Sequence, residues 1–138
     1  ITRFENGKFE FYSLRDNGAI FGSNFQILPG VGYFIKTTES GKISISGNAI
    51  TNAIPVDLNN GWNLIGVSNP EKSYTAKSFI EKCESDSVGC DSLARYDSGL
   101  YDILVKDNNT LFGNDFNLNT KSGYFVRVKD GGGKTITP

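Results

Sequence analysis

The chain has 138 residues, enough for one domain or two very small ones. Its net charge is −1, from 14 basic and 15 acidic residues spread along its length, which argues against an electrostatic nucleic-acid footprint. No apolar run reaches the roughly 18 residues of a membrane span, and the absence of His removes the commonest general base and the commonest metal ligand. Gly is 16 of 138 and aromatics are 12%, with abundant Asn, Ser and Thr, which points to a secreted, β-rich protein. With no Met, the chain reads as a processed or excised piece of a longer polypeptide.

In chain order, Ile1 to Glu5 alternates and runs into Asn6-Gly7, the strongest short hairpin signal. Lys8 to Leu14 is the return strand, with Phe9 and Phe11 on one face and Glu10 and Tyr12 on the other. Arg15 to Asn24 is a polar loop with Ile20 and Phe21 turned inward, and Phe25 to Leu28 is short and extended. Pro29-Gly30 marks a turn, because Pro presets φ and Gly tolerates φ > 0. Gly32 to Thr38 reads as a strand, and Gly41 to Ser46 alternates Ile43 and Ile45 with polar residues. Gly47 to Ile54 is a connector. Val56, Leu58 and then Trp62 to Val67 read as a hairpin across Asn59-Asn60-Gly61, with Leu64 to Val67 apolar on both faces and therefore central.

After Pro70 comes the one good helix. Thr75 is its N-cap candidate, and Ala76, Phe79, Ile80 and Cys83 form one apolar stripe at i, i+3, i+4 and i+7. Phe79 and Ile80 should cover a sheet edge or face. Cys83 and Cys90 are the only two cysteines, too few for a zinc site without His. The secreted-looking composition favours a disulfide between them, closing a loop of about eight residues for about 2.5 kcal/mol. The alternative is that Cys83 packs as a small hydrophobe.

Residues 93–137 then restate residues 1–46. Ile1-Thr2-Arg3-Phe4-Glu5-Asn6-Gly7 answers to Leu93-Ala94-Arg95-Tyr96-Asp97-Ser98-Gly99, Phe21 to Phe25 answers to Phe112 to Phe116, and Gly32-Tyr33-Phe34-Ile35 answers to Gly123-Tyr124-Phe125-Val126. The offset is 92 residues at the start and 91 from Asp16/Asp107 onward. A fixed period of this kind marks a duplicated structural unit. The expected fold is mainly β with one short helix, in which two repeated antiparallel blocks related by a pseudo two-fold share one core. The expected order is a first β repeat at 1–46, a Trp-strand hairpin plus helix at 47–92, and a second β repeat at 93–138. A block of about 46 residues is too small to hold itself together easily. The competing reading has the hairpin-plus-helix precede each β block, with the one for residues 1–46 lying upstream.

Gly61-Trp62-Asn63-Leu64-Ile65-Gly66, the capped helix at Tyr74-Thr75-Ala76, Arg95-Tyr96-Asp97-Ser98-Gly99 and Gly123-Tyr124-Phe125-Val126 together resemble the GWNLI…GYF/W repeat modules of large prokaryotic secreted and cell-surface proteins. The resemblance covers residues 55–138 as a unit and 1–46 as a half unit. It implies an extracellular or cell-surface location, attachment to the rest of a parent polypeptide, and a non-catalytic role.

Chemistry-bearing groups are sparse. Asp97/Asp102, Glu81/Glu84 and Asp107/Asp115 are carboxylate pairs without a nucleophile beside them. Gly131-Gly132-Gly133-Lys134 lacks the spacing and helix context of a phosphate loop. Asp107, Asn109 and Asp115 offer oxygen ligands suited to calcium, although Asp/Asn/Gly loops are more often turn chemistry. No other cofactor is expected. Tyr12, Trp62, Tyr74 and Tyr101 are candidate platforms for stacking on sugar rings, as are Tyr96 and Tyr124 if they line an exposed face, with Tyr12 and Tyr74 expected to be the wettest; aromatics in alternating strands are otherwise core. The functional expectation is an adhesion or ligand-display module. Alternatives are a carbohydrate-binding module of a secreted hydrolase and a structural subunit of a surface layer or fibre built from like modules.

Overall fold

The computed structural model describes residues 1–138 apart from 45, 47, 49, 70 and 71. Strand β1 (Thr2–Glu5) turns through Asn6 and Gly7, both at positive φ, into β2 (Lys8–Leu14). Two consecutive positive-φ residues make the type I′ turn that matches strand twist, as Asn-Gly predicts. β3 (Ile20–Gly22) and β4 (Tyr33–Phe34) complete a four-stranded antiparallel sheet in the order β3-β2-β1-β4.

β5 (Val56–Leu58) and β6 (Gly61–Gly66) precede the single helix α1 (Ala76–Ser85). β7 (Gly89–Asp97), β8 (Leu100–Asp107), β9 (Thr110–Gly113) and β10 (Gly123–Asp130) follow, then β11 (Lys134–Ile136). A five-stranded antiparallel sheet runs β6-β10-β7-β8-β9, and β11 pairs with β5. The molecule is thus mainly β, with one short helix and several antiparallel sheets packed together.

Pairing in the two larger sheets follows one pattern. Arg3 lies opposite Glu10 and Phe4 opposite Phe9, as Arg95 lies opposite Asp102 and Tyr96 opposite Tyr101. Tyr12 pairs with Gly22 as Leu104 pairs with Gly113, and Thr2 pairs with Phe34 as Ala94 pairs with Phe125.

Helix α1 forms where the apolar stripe and its cap say it should. Thr75 Oγ1 accepts the Ser78 N–H at 3.2 Å while Ser78 Oγ accepts the Thr75 N–H at 2.8 Å, a reciprocal capping box. Ala76, Phe79, Ile80 and Cys83 are all buried and face the sheet. The fully packed interior consists of this stripe with Leu93, Leu104, Tyr124, Val126 and their neighbours, and its buried apolar side chains run from Val56 to Ile136.

Several expectations are corrected. Val56–Leu58 and Trp62–Val67 do not form a hairpin: β5 pairs with β11, with Val56 opposite Ile136, and β6 pairs with β10. Gly61 has positive φ but Asn60 does not, so the type I′ turn is not made. The Asn60 side chain instead accepts the Gly132 N–H at 2.9 Å, and Asn63 Nδ2 donates to the Asn59 carbonyl at 2.8 Å. Burial of Val56, Leu58 and Ile136 against one another favours the long-range pairing over the local one. β6 ends the five-stranded sheet, although the backbone of Gly30 and Gly32 hydrogen-bonds along its outer side to Gly66 and Leu64.

Of the strand expected at 32–38, only Tyr33–Phe34 is strand; described residues of 41–46 form none, and Ile45 lies outside the described residues, as do Gly47 of the expected connector and Pro70 before the helix. Ile20 and Phe21 are exposed, because β3 is an outer strand on which Phe21 is covered only in part, by Phe11 at 5.7 Å and the Arg15 guanidinium at 5.1 Å. Cys83 and Cys90 are buried free thiols, too far apart for a disulfide. The side-chain interaction with Cys90, which favours the protonated Cys83 thiol, and then burial push that thiol well above its usual range, and both cysteines are buried as small packing residues.

Candidate functional site

The two larger sheets meet through aromatic rings. Phe125 on β10 is the hub, with ring centroids 5.8 Å from Phe4, 5.7 Å from Phe34, 6.2 Å from Trp62 and 6.4 Å from Tyr101. These are the edge-on and tilted geometries that aromatic quadrupoles favour. Alternation along the strands produces the seam: Phe4 and Thr2, Tyr96 and Ala94, and Trp62 and Leu64 each point to one side of their sheet, while Ile65, Leu93 and Val126 point to the helix.

The seam opens into an apolar cleft of about 360 Å³ walled by Phe4, Phe9, Trp62, Tyr101, Ile103 and Phe125. Trp62 is 39% exposed and Tyr101 58%, so both present ring surface to solvent. Tyr101 is braced by Tyr96 at 5.1 Å, and the Arg127 guanidinium sits 5.8 Å from the Trp62 ring centroid. Arg127 is held there by a bidentate pair to Asp91 at 2.7 and 2.8 Å, which raises its pKa further above the usual range. Among the described residues no carboxylate, amine or thiol lines the cleft, and the Tyr101 phenol is its one titratable group. A second cleft of about 650 Å³ has a mixed lining, with Glu5, Asn6, Asn59 and Asn60 beside Leu28 and Pro55, and shares Phe4 and Trp62 with the first.

Of the sequence-predicted aromatics, Trp62 and Tyr101 come together at the apolar cleft. Tyr12 is half-buried on the opposite face of its sheet. Tyr74 is buried beside Phe79, ring centroids 5.9 Å apart, and is not the wet residue expected; it precedes the helix and its carbonyl accepts the Leu118 N–H, which pulls its ring into the core. Phe4, Phe9 and Phe125 are cleft residues that sequence reasoning left to the core; their recurrence as matched aromatics was the available signal.

The oxygen-rich residues serve the backbone. Asn108 and Asn109 adopt positive φ as the type I′ turn between β8 and β9, whose flanks are Asp107 and Thr110. Asp115 Oδ1 accepts the Lys77 N–H at 2.9 Å, in the first turn of α1. Among the described residues no group of three or more Cys, Asp or Glu is placed to hold a metal ion.

The carboxylates also have partners. Glu84 pairs with Lys106, and Asp102 accepts from Arg95 Nε and Nη2 at 3.0 and 2.8 Å. Arg95 also lies 4.7 Å over the Phe116 ring, which stacks on Tyr124 at 6.3 Å. Arg3 reproduces this with Glu10, Phe25 at 4.8 Å and Tyr33. The Arg95 bonds, and then Asn114, hold Asp102 below the usual carboxylate range. A lowered folded-state pKa means the stabilisation is present above the unfolded value of about 3.9 and is lost as pH falls through the folded one. Asp102→Asn should therefore flatten the loss of unfolding free energy between pH 6 and pH 3, as measured by urea titration at each pH. Parallel curves for the two proteins would show that Asp102 does not carry that dependence.

No protein-family model, curated protein or solved structure matches this chain.

Proposed function

We propose that the chain is a non-catalytic module of a larger secreted or cell-surface prokaryotic protein, acting in adhesion or ligand display through the aromatic cleft at Trp62 and Tyr101. The observation that carries this is the cleft itself: exposed ring faces around a volume within the range of small-ligand sites, with the Tyr101 phenol as its one titratable group among the described residues and no carboxylate, amine or thiol beside it. The resemblance to GWNLI…GYF/W modules supports the same reading.

In this reading residues 1–46 and 93–138 are two copies of one β block about an approximate two-fold. The seam contacts support it because they are reciprocal. Phe4 meets Phe125 at 5.8 Å and Phe34 meets Tyr96 at 6.1 Å, and under the sequence match these are the same contact made in both directions. Phe34 and Phe125, matched to each other, meet at 5.7 Å, as residues beside such an axis do.

A second reading, a carbohydrate-binding module of a secreted hydrolase, is favoured by the neighbouring cleft of mixed lining, which brings Asn6, Asn59 and Asn60 beside the same Trp62. Trp62 is the only Trp, so its fluorescence reports occupancy directly. Titration with prokaryotic envelope fragments and with soluble oligosaccharides should shift that emission, and Tyr101→Ala should weaken binding at least tenfold. Response to fragments but to no oligosaccharide at millimolar concentration removes the carbohydrate reading. Binding undiminished in both Tyr101→Ala and Trp62→Ala, the latter followed by pull-down, removes the cleft as the ligand site.

A further inference from the structure

The second β block buries one sheet face beneath α1; among the described residues no helix covers the same face of the first block. Leu93, Leu104, Phe116, Leu118, Tyr124 and Val126 are all buried there. Their sequence matches in the first block are Ile1, Tyr12, Phe25, Ile27, Tyr33 and Ile35. Ile1, Ile27 and Ile35 are 43%, 61% and 55% exposed, and the other three are half-buried. Among the described residues no apolar side chain before Val56 is buried.

The backbone tells the same story independently. In the second block the Phe116 carbonyl accepts the Ala76 N–H at 2.9 Å, and the Leu118 N–H donates to the Tyr74 carbonyl at 2.8 Å, so the entry to α1 is stitched to residues 116–118. The matching groups in the first block are the Phe25 carbonyl and the Ile27 N–H. Neither has a hydrogen-bond partner among the described residues. The sheet edge differs likewise. β10 is paired on its outer side by β6, while β4 ends its sheet.

We propose that this face and the β4 edge are the docking site for a strand–helix segment of the parent polypeptide, of the same chemistry as residues 61–90. That segment would add a GWNLI-like strand beside β4, lay an apolar helical stripe over Ile1, Ile27, Tyr33 and Ile35, and run into β1 as α1 runs into β7. A second copy of this chain is not the favoured occupant, because its own helix is already buried against its own sheet. The register also specifies a difference. Glu84 at the end of α1 pairs with Lys106, whose match in the first block is Leu14, 70% exposed. The docking helix therefore carries an apolar residue where α1 carries Glu84. This inference rests on the two-block reading above but not on the cleft, so it stands or falls apart from ligand binding.

The test fuses a second copy of residues 55–92 directly ahead of Ile1 in the full chain, so that Ser92 is followed by Ile1 in the register of Ser92-Leu93. The expected result is added helical ellipticity, slowing of amide exchange at Ile27 and at residues 34–36 by at least tenfold, and loss of hydrophobic-dye binding. Phe79→Asp placed only in the grafted copy should restore the exchange rates of the original chain, and Glu84→Leu in the grafted copy should strengthen the protection. Unchanged exchange at those amides, with the amides of Leu104 and Val126 still protected as in the original chain, would overturn the proposal. So would sedimentation showing that the original chain dimerises and that Ile27→Ser with Ile35→Ser makes it monomeric, since the occupant would then be a second copy.

Discussion

Phe79→Ala is expected to lower the unfolding free energy by about 3–5 kcal/mol, the range for emptying a buried aromatic site. Phe79 has no solvent exposure, lies mid-stripe on α1, and packs edge-on to Tyr74 at 5.9 Å. Its ring fills the space between helix and sheet, and Ala at that position leaves a cavity bounded by a rigid sheet that cannot collapse into it. The loss is a large fraction of the 5–15 kcal/mol typical of a domain. With a urea slope of about 1–3 kcal/mol/M the midpoint should fall by more than 1 M. Leu100→Ala removes a side chain that is 75% exposed and should change stability by no more than about 0.5 kcal/mol. A Phe79→Ala cost below about 1 kcal/mol would mean that α1 does not organise the core as described.

Gly113→Ala is expected to be strongly destabilising although the residue lies outside the core. Gly113 closes β9 with φ 102°, a conformation L side chains rarely adopt, and a Cβ there would press well inside van der Waals contact of the Ile103 carbonyl. The strain alone is about 1–3 kcal/mol, and relieving the clash requires breaking the Asn114 N–H bond to the Ile103 carbonyl, 3.2 Å long. Gly22 has φ 96° and meets the Phe11 carbonyl in the same way, so Gly22→Ala should disrupt the first sheet equally. Gly99 provides the comparison, because its φ is 88° but a Cβ there would meet nothing. Chemical denaturation of the three variants separates the two costs. Gly113→Ala no worse than Gly99→Ala would show that carbonyl crowding is not what requires glycine.

The two glycines illustrate what was readable in advance. Phe21-Gly22 and Phe112-Gly113 recur in the sequence, and the strands they end pair in the same register. Hairpins β1–β2 and β7–β8, the Thr75 cap and the α1 stripe were likewise legible, since each is set by residues a few positions apart. The candidate cleft was half legible. Trp62 and Tyr101 were singled out as platforms, but Phe9 and Phe125 look like core residues until a second sheet is placed opposite them.

Local rules failed where distant partners competed. Asn59-Asn60-Gly61 carries a hairpin signal, yet burying Val56 and Leu58 against Ile136 outweighs a turn that would have left those side chains in water. Tyr74 has the composition of a wet loop residue but belongs to the helix entry bonded to Leu118.

By itself the sequence determined the strand periods, the positive-φ turns, the helix and the correspondence between residues 1–46 and 93–137, because backbone sterics and side-chain alternation act over a few residues. Only the tertiary structure decided that Cys83 and Cys90 stay as thiols, that β5 joins β11, that aromatic rings meet in an open seam, and that the helix covers one face of the five-stranded sheet. Those outcomes depend on which surfaces compete for burial across tens of residues, a comparison no local pattern encodes.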